Sequence, residues 1–68
     1  MPSTIIRTYE YDPVGHELKI TLVTGRVYVY FQVPQAIYND FSTAFSKGRF
    51  YNKHIRGAYE FREVTPVS

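Results

Sequence analysis

With no cysteine among its 68 residues, this chain has to hold itself together by packing alone. A domain of this size buries one modest core, and chains near this length often rely on disulfides or a metal for support. Missing cysteine rules out the disulfide and also removes a thiolate metal site and a thiol nucleophile. What the sequence offers instead is aromatic mass: seven tyrosines and five phenylalanines, 18% of the chain. Such rings bury a large area each, and tyrosine keeps a polar tip for a hydrogen bond. The expectation is a single domain over residues 1–68, with its core between about 6 and 64 and a frayed tail at 65–68.

The pattern along the chain favours strands first and helices later. Ser3 to Tyr11 is rich in β-branched and aromatic residues and reads as a strand. Asp12-Pro13-Val14-Gly15-His16 has turn chemistry, with glycine as the residue for a positive φ. Glu17 to Val23 alternates, with Leu18, Ile20 and Leu22 on one face and charged or polar residues on the other. After Thr24-Gly25 comes an apolar stretch from Arg26 to Val33, with Val27, Val29, Phe31 and Val33 on one face and Tyr28 and Tyr30 on the other. A three-residue loop with Gly25 left-handed pairs Ile20 with Tyr28 and Leu18 with Tyr30, so the tyrosines join the core. Val27, Val29 and Phe31 then need a second cover, from the helix, a neighbouring strand or another subunit.

Pro34 suits the first position of a helix. Ile37, Phe41, Ala44 and Phe45 form an apolar stripe at helical spacing, flanked by Tyr38, and Gly48 is the expected terminator. A short second helix is expected over Arg49 to Arg56, anchored inward by Phe50 and Ile55 and ended by Gly57. Ala58 to Val64 reads as a last strand with Tyr59 and Phe61 on one face. The fold class that follows is α+β: a small twisted antiparallel sheet, a three-stranded N-terminal meander plus a C-terminal strand, with one main helix and a short second helix packed on one face.

Charge is distributed unevenly. Between Lys47 and Gly57 stand Lys47, Arg49, Lys53 and Arg56, with His54 and no acid, although the whole chain carries only +2. A basic block on a mildly acidic body points to a localised anion site, set against the plainer reading of a solvated helix face. Lysine and arginine neutralise phosphates, Tyr51 is placed to stack on an unpaired base, and Asn52 to bond a base edge. A satisfied interface tyrosine is the competing reading for Tyr51. The candidate nucleic-acid or anion-binding residues are therefore Lys47, Arg49, Tyr51, Asn52, Lys53, His54 and Arg56.

Catalytic and cofactor chemistry has little support. No serine sits in a glycine-flanked elbow, no glycine-rich loop follows a strand, and Asp12 with His16 in one turn is too thin a set for a metal. No cofactor or metal is expected, and the pattern points to a binding module rather than an enzyme. No apolar run approaches the roughly 20 residues that span a bilayer, and the first residues carry no export signal, so a cytoplasmic protein without a membrane partner is expected.

The string Gly25-Arg26-Val27-Tyr28-Val29-Tyr30, then Val33-Pro34, then Ser46-Lys47-Gly48-Arg49-Phe50-Tyr51-Asn52 and Ile55-Arg56, resembles the KTSC domain. Tyr11-Asp12-Pro13 and the closing Ala58-Tyr59-Glu60-Phe61-Arg62 also follow that pattern, so the resemblance runs from about Ile6 to Val64. The order Phe50-Tyr51 is a departure from the family's common Tyr-Phe. The family takes its name from the C-terminus of some lysyl-tRNA synthetases, and its members also occur as stand-alone small proteins of bacteria and phages. The resemblance implies an accessory module, suggests RNA as partner, and marks Tyr28, Tyr30, Pro34 and Gly48 as family-motif residues with a structural role. The tyrosine pair has two readings, core beneath the helix or stacking platform on an open sheet, and Leu18 and Ile20 opposite favour the core. Three functions follow: RNA or other polyanion binding through residues 47–57; a protein-interaction or self-associating, homodimeric module; or a pocket for a small anionic ligand such as a nucleotide, lined by Arg49, Tyr51, Asn52 and Arg56.

Overall fold

A computed structural model describes residues 5–64. Four strands, β1 (Ile6–Asp12), β2 (Glu17–Leu22), β3 (Val27–Tyr30) and β4 (Phe61–Val64), form one antiparallel sheet in the order β1-β2-β3-β4. Between β3 and β4 lie helix α1 (Gln35–Thr43) and a second helical segment, which starts as α2 (Lys47–Phe50) and continues as a π-helical turn over Tyr51–Ile55. The α+β architecture expected from the sequence is the one observed. Ser3 and Thr4 of the expected first strand, and the expected tail at 65–68, lie outside the described residues.

The register places the core. Leu18 pairs with Tyr30 and Ile20 with Tyr28, as the three-residue loop requires. Gly25 supplies the positive φ of 94°, its N–H bonds to the Leu22 carbonyl at 2.9 Å, and Leu22 N–H closes the hairpin on Arg26 at 2.8 Å. Leu18 and Ile20 are fully buried and Tyr30 nearly so. In β1 the pairing shifts between Ile6 and Thr8, a bulge at Arg7. Ile6, an even position, thereby shares the core face with the odd positions Tyr9 and Tyr11, and is buried.

Against this face pack Phe41 of α1 and Tyr51 and Ile55 of the π-helical turn. Tyr9 meets Phe41 edge-on at 4.9 Å, and Tyr11 stacks on Tyr38 at 4.5 Å with planes 8° apart. Tyr11 also donates its hydroxyl to the Val33 carbonyl at 2.6 Å, tying the first strand to the entry of α1.

Several local expectations are corrected. In the first turn the positive φ falls on His16 (56°) rather than on Gly15, and Asp12 accepts from the Val14 N–H at 3.0 Å. β3 stops at Tyr30, and Gln32 takes a left-handed φ of 56°. That turn rotates Val33 off the face of Val27 and Val29 and into the core, where it is fully buried and its N–H bonds to the His16 carbonyl at 2.9 Å. Pro34 caps α1 rather than occupying its first turn. On the sheet face away from the helices, Val27 is buried beside its register neighbours Thr21 and Val64, and Val29 and Phe31 are half-buried. Phe31 N–H bonds to the Glu60 carbonyl at 2.9 Å, which carries the β3–β4 pairing one step further.

Candidate nucleic-acid interface

The apolar stripe of α1 ends earlier than its spacing suggests. Ser42 and Thr43 both turn their hydroxyls back onto the Asn39 carbonyl, each at 2.9 Å. Such side chains compete with the helical ladder. Ala44 then becomes extended, with ψ at 141°, and its N–H bonds to the Phe41 carbonyl at 3.2 Å. Phe45 is consequently not a core residue: it projects into solvent, as exposed as in an open chain. Ser46 begins the next helix by accepting from the Arg49 N–H at 3.4 Å. Gly48 is thus not the terminator of α1 but part of the first turn of α2.

This break builds a surface. Ala44, Phe45, Ser46, Arg49, Phe50, Lys53 and His54 line a shallow hollow of about 340 Å³. Arg49, Lys53 and His54 are exposed. Phe50 is half-buried, with its ring 6.1 Å from Phe41 on one side and 4.6 Å from His54 on the other. An exposed ring thus stands among two cations and an imidazole. Sequence reasoning missed Phe45 because it was counted in the α1 stripe; the signal that could have found it is Ser42-Thr43 followed by Ser46, a helix stop and a new N-cap within five residues.

The remaining basic residues do not join this surface. The π-helical turn closes with Arg56 N–H on the Tyr51 carbonyl at 2.8 Å, and Arg56 is already extended. Asn52 and Arg56 are four apart and would share one face of a regular α-helix, but the turn here is one residue wider than an α turn and separates them. Arg56 faces a different cavity, Asn52 is exposed and lines neither hollow, and the Lys47 ammonium lies 6.0 Å from the ring centre of Tyr9, toward β1.

Tyr51 is a correction. Its ring is buried, 3% exposed, and its hydroxyl lies 2.6 Å from that of Tyr30 with the rings edge-on at 5.7 Å. It has no free face for a base, and the role expected of it as a stacking residue passes to the core. Tyr30 takes the core position, with its hydroxyl bonded to the Tyr51 side chain. Tyr28 is half-buried and meets Phe61 edge-on at 5.4 Å.

Burial, then the bond to Tyr51, raise the Tyr30 hydroxyl well above the ordinary tyrosine range. A raised folded value means the folded state holds the proton more tightly, so the contribution is complete below the ordinary value near 10 and is lost as pH climbs toward the raised one. The fold is expected to keep the whole of this contribution up to about pH 10 and to lose stability progressively as pH climbs above it. A combined ultraviolet-absorbance and circular-dichroism titration checks this. Tyr30→Phe should flatten that alkaline decline.

The KTSC domain family model matches residues 2–59 of this chain. The chain belongs to the KTSC domain family. The crystal structure of a KTSC domain protein from Yersinia pestis superposes with a TM-score of 0.86 at 33% identity, over 96% of this chain and 92% of that one. A lysine–tRNA ligase of Nostoc punctiforme is 34% identical over 62 residues, which is 91% of this chain and 11% of the ligase. A protein of Tsukamurella paurometabola is 36% identical over 54 residues, 79% of this chain and 81% of that protein. This KTSC module therefore spans about a tenth of the curated ligases it matches, and most of the length of a small protein. Among the described residues, no helix is long and apolar enough to cross a membrane, and no group of three or more His, Cys, Asp or Glu is placed to hold a metal ion.

Proposed function

We propose that this KTSC domain is a non-catalytic module of the cytoplasm that binds single-stranded RNA through the surface formed by Phe45, Arg49, Lys53 and His54. The observation that carries the reading is Phe45, fully exposed and sharing one hollow with those three side chains. Leaving a phenylalanine in water forgoes about 1.5–3 kcal/mol of burial, and a stacked base recovers energy of that order, about 1–3 kcal/mol per base. Flanking cations hold the phosphates while the ring takes the base, which is how single-strand binders tolerate many sequences. The similarity to a segment of lysine–tRNA ligases is compatible with RNA as the partner.

Salt dependence tests the electrostatic half. Each phosphate neutralised on a single strand contributes about −0.7 to the slope of log K against log salt. A short oligonucleotide that reaches only Arg49 and Lys53 should give a slope of about −1.4, and one long enough to reach Lys47 and Arg56 as well about −2.8. Fluorescence anisotropy of labelled single-stranded RNA of increasing length measures both. An affinity indifferent to salt, or no binding in low salt, contradicts the proposal.

A further inference from the structure

A second cavity, of about 300 Å³, lies between the β3–β4 edge of the core face and the π-helical turn. Ile5 and Leu22 provide apolar lining; Tyr28, Tyr30, Tyr51 and Phe61 provide aromatic walls; Arg56 and Glu63 provide one charge of each sign. The volume stands at the lower end of small-molecule sites, which suits a single nucleotide unit better than a large cofactor.

Two features distinguish this cavity from a packing gap. The first is a proton count. Tyr30 and Tyr51 are buried and share one hydrogen bond of 2.6 Å, in which one hydroxyl donates and the other accepts. A tyrosine hydroxyl carries one hydrogen, so that bond uses one of two. Either way that bond leaves one phenolic hydrogen unused, on a residue lining the cavity. The second is the rim. Tyr28 is half-buried and Phe61 is 53% exposed, so ring surface stays open where Arg56 and Glu63 also meet the cavity.

We infer that this cavity takes one unstacked nucleobase with its phosphate, guanine best of the four. The open rings of Tyr28 and Phe61 hold the flat ring of the base, above the buried Tyr30 and Tyr51. The Glu63 carboxylate accepts from N–H donors on the Watson–Crick edge, and guanine alone presents two adjacent ones there. The spare phenolic hydrogen meets a ring or carbonyl acceptor of the base, and Arg56 holds the phosphate. The ligand is the same chemistry whether it arrives as a free mononucleotide or as one splayed residue of an RNA strand. The inference deepens the RNA reading by giving Arg56 a base-reading neighbourhood apart from the Phe45 surface, and it rests on that reading only for the class of ligand.

The test is a titration of the full chain with guanosine monophosphate, inosine monophosphate and a short G-containing single-stranded RNA. Calorimetry gives the affinity, and NMR amide and aromatic shifts give the site. The expected result is one-to-one binding of guanosine monophosphate with shifts at Tyr28, Tyr30, Tyr51, Arg56, Phe61 and Glu63. Loss of the base's 2-amino group, or Glu63→Gln, should weaken it roughly 10- to 100-fold, as for loss of a bidentate base contact. Arg56→Ala should weaken the nucleotide while sparing the nucleoside. Saturable shifts here with the mononucleotide but none with RNA assign the cavity to a free nucleotide, and the reverse assigns it to a residue within a strand. RNA binding with shifts confined to Phe45, Arg49, Lys53 and His54, and silence in the cavity for every probe, overturns this inference and leaves the proposed function standing. Shifts in the cavity without any at the Phe45 surface support it and overturn that function.

Discussion

Phe41→Ala is expected to remove between a third and the whole of the stability of this domain, while Phe45→Ala, four residues away on the same sequence stripe, should leave it unchanged. Phe41 is fully buried, with the Tyr9 ring at 4.9 Å and the Phe50 ring at 6.1 Å. Removing a buried phenylalanine costs about 3–5 kcal/mol. At roughly 0.05–0.15 kcal/mol per residue, a chain of this length has about 3–10 kcal/mol in all. Phe41→Ala thus removes between a third and the whole of it. Phe45 touches no core, so its truncation should fall within about 0.5 kcal/mol of neutral. Urea denaturation followed by far-ultraviolet circular dichroism measures both, and suits a chain without tryptophan. The same Phe45→Ala protein should bind single-stranded RNA about 5- to 100-fold more weakly, the equivalent of one lost base stack. Equal destabilisation by the two substitutions would mean that Phe45 is packed and that the surface described above does not exist.

Arg49→Glu combined with Lys53→Glu is expected to eliminate RNA binding without unfolding the chain. Both side chains are exposed, so the change should be nearly neutral for stability. The pair converts two phosphate contacts into two repulsions and takes the net charge from +2 to −2. At low salt the expected loss is on the order of 100-fold or more, and the salt slope for a short oligonucleotide should fall from about −1.4 toward zero. Lys19→Glu with Arg62→Glu makes the same change in net charge on the sheet face away from the helices, where the two side chains flank Val29 in the register. That control should lose only the long-range part, a few-fold that salt screens away. Equal losses in the two doubles would show a response to overall charge rather than to a site.

The contrast between Phe41 and Phe45 also shows which parts of this molecule were legible in the chain. Leu18, Ile20 and Leu22 alternate with charged or polar neighbours, and Thr24-Gly25 permits only a few loops. From these the hairpin register and the inward placement of Tyr30 follow, because period-2 burial and turn geometry are local rules. The family pattern was legible for the same reason, since it rests on short strings of residues. What escaped was decided by side chains bonding back to the backbone or by non-local packing. Ser42 and Thr43 end α1 through the Asn39 carbonyl, and so turn Phe45 from core to surface. The bulge at Arg7 brings Ile6 inward, and the left-handed Gln32 turns Val33 under the sheet. No composition rule marks either, because neither residue is a glycine.

The candidate site divided along the same line. Arg49 and Lys53, four residues apart, fall on one face by ordinary helical spacing, and with His54 they line one hollow. Arg56, three residues from Lys53, belongs to that face on a uniform helix, but the π-helical turn sends it to another cavity and buries Tyr51 in the core. Helical periodicity assumes a uniform ladder, and one extra residue in a turn moves everything beyond it.

The most direct test of the RNA reading is an amide NMR titration of the full chain with single-stranded RNA, at low and at moderate salt. Shifts are expected at Phe45, Ser46, Arg49, Lys53 and His54 that saturate at low salt and weaken as salt rises. No shift at these residues at low salt would contradict it.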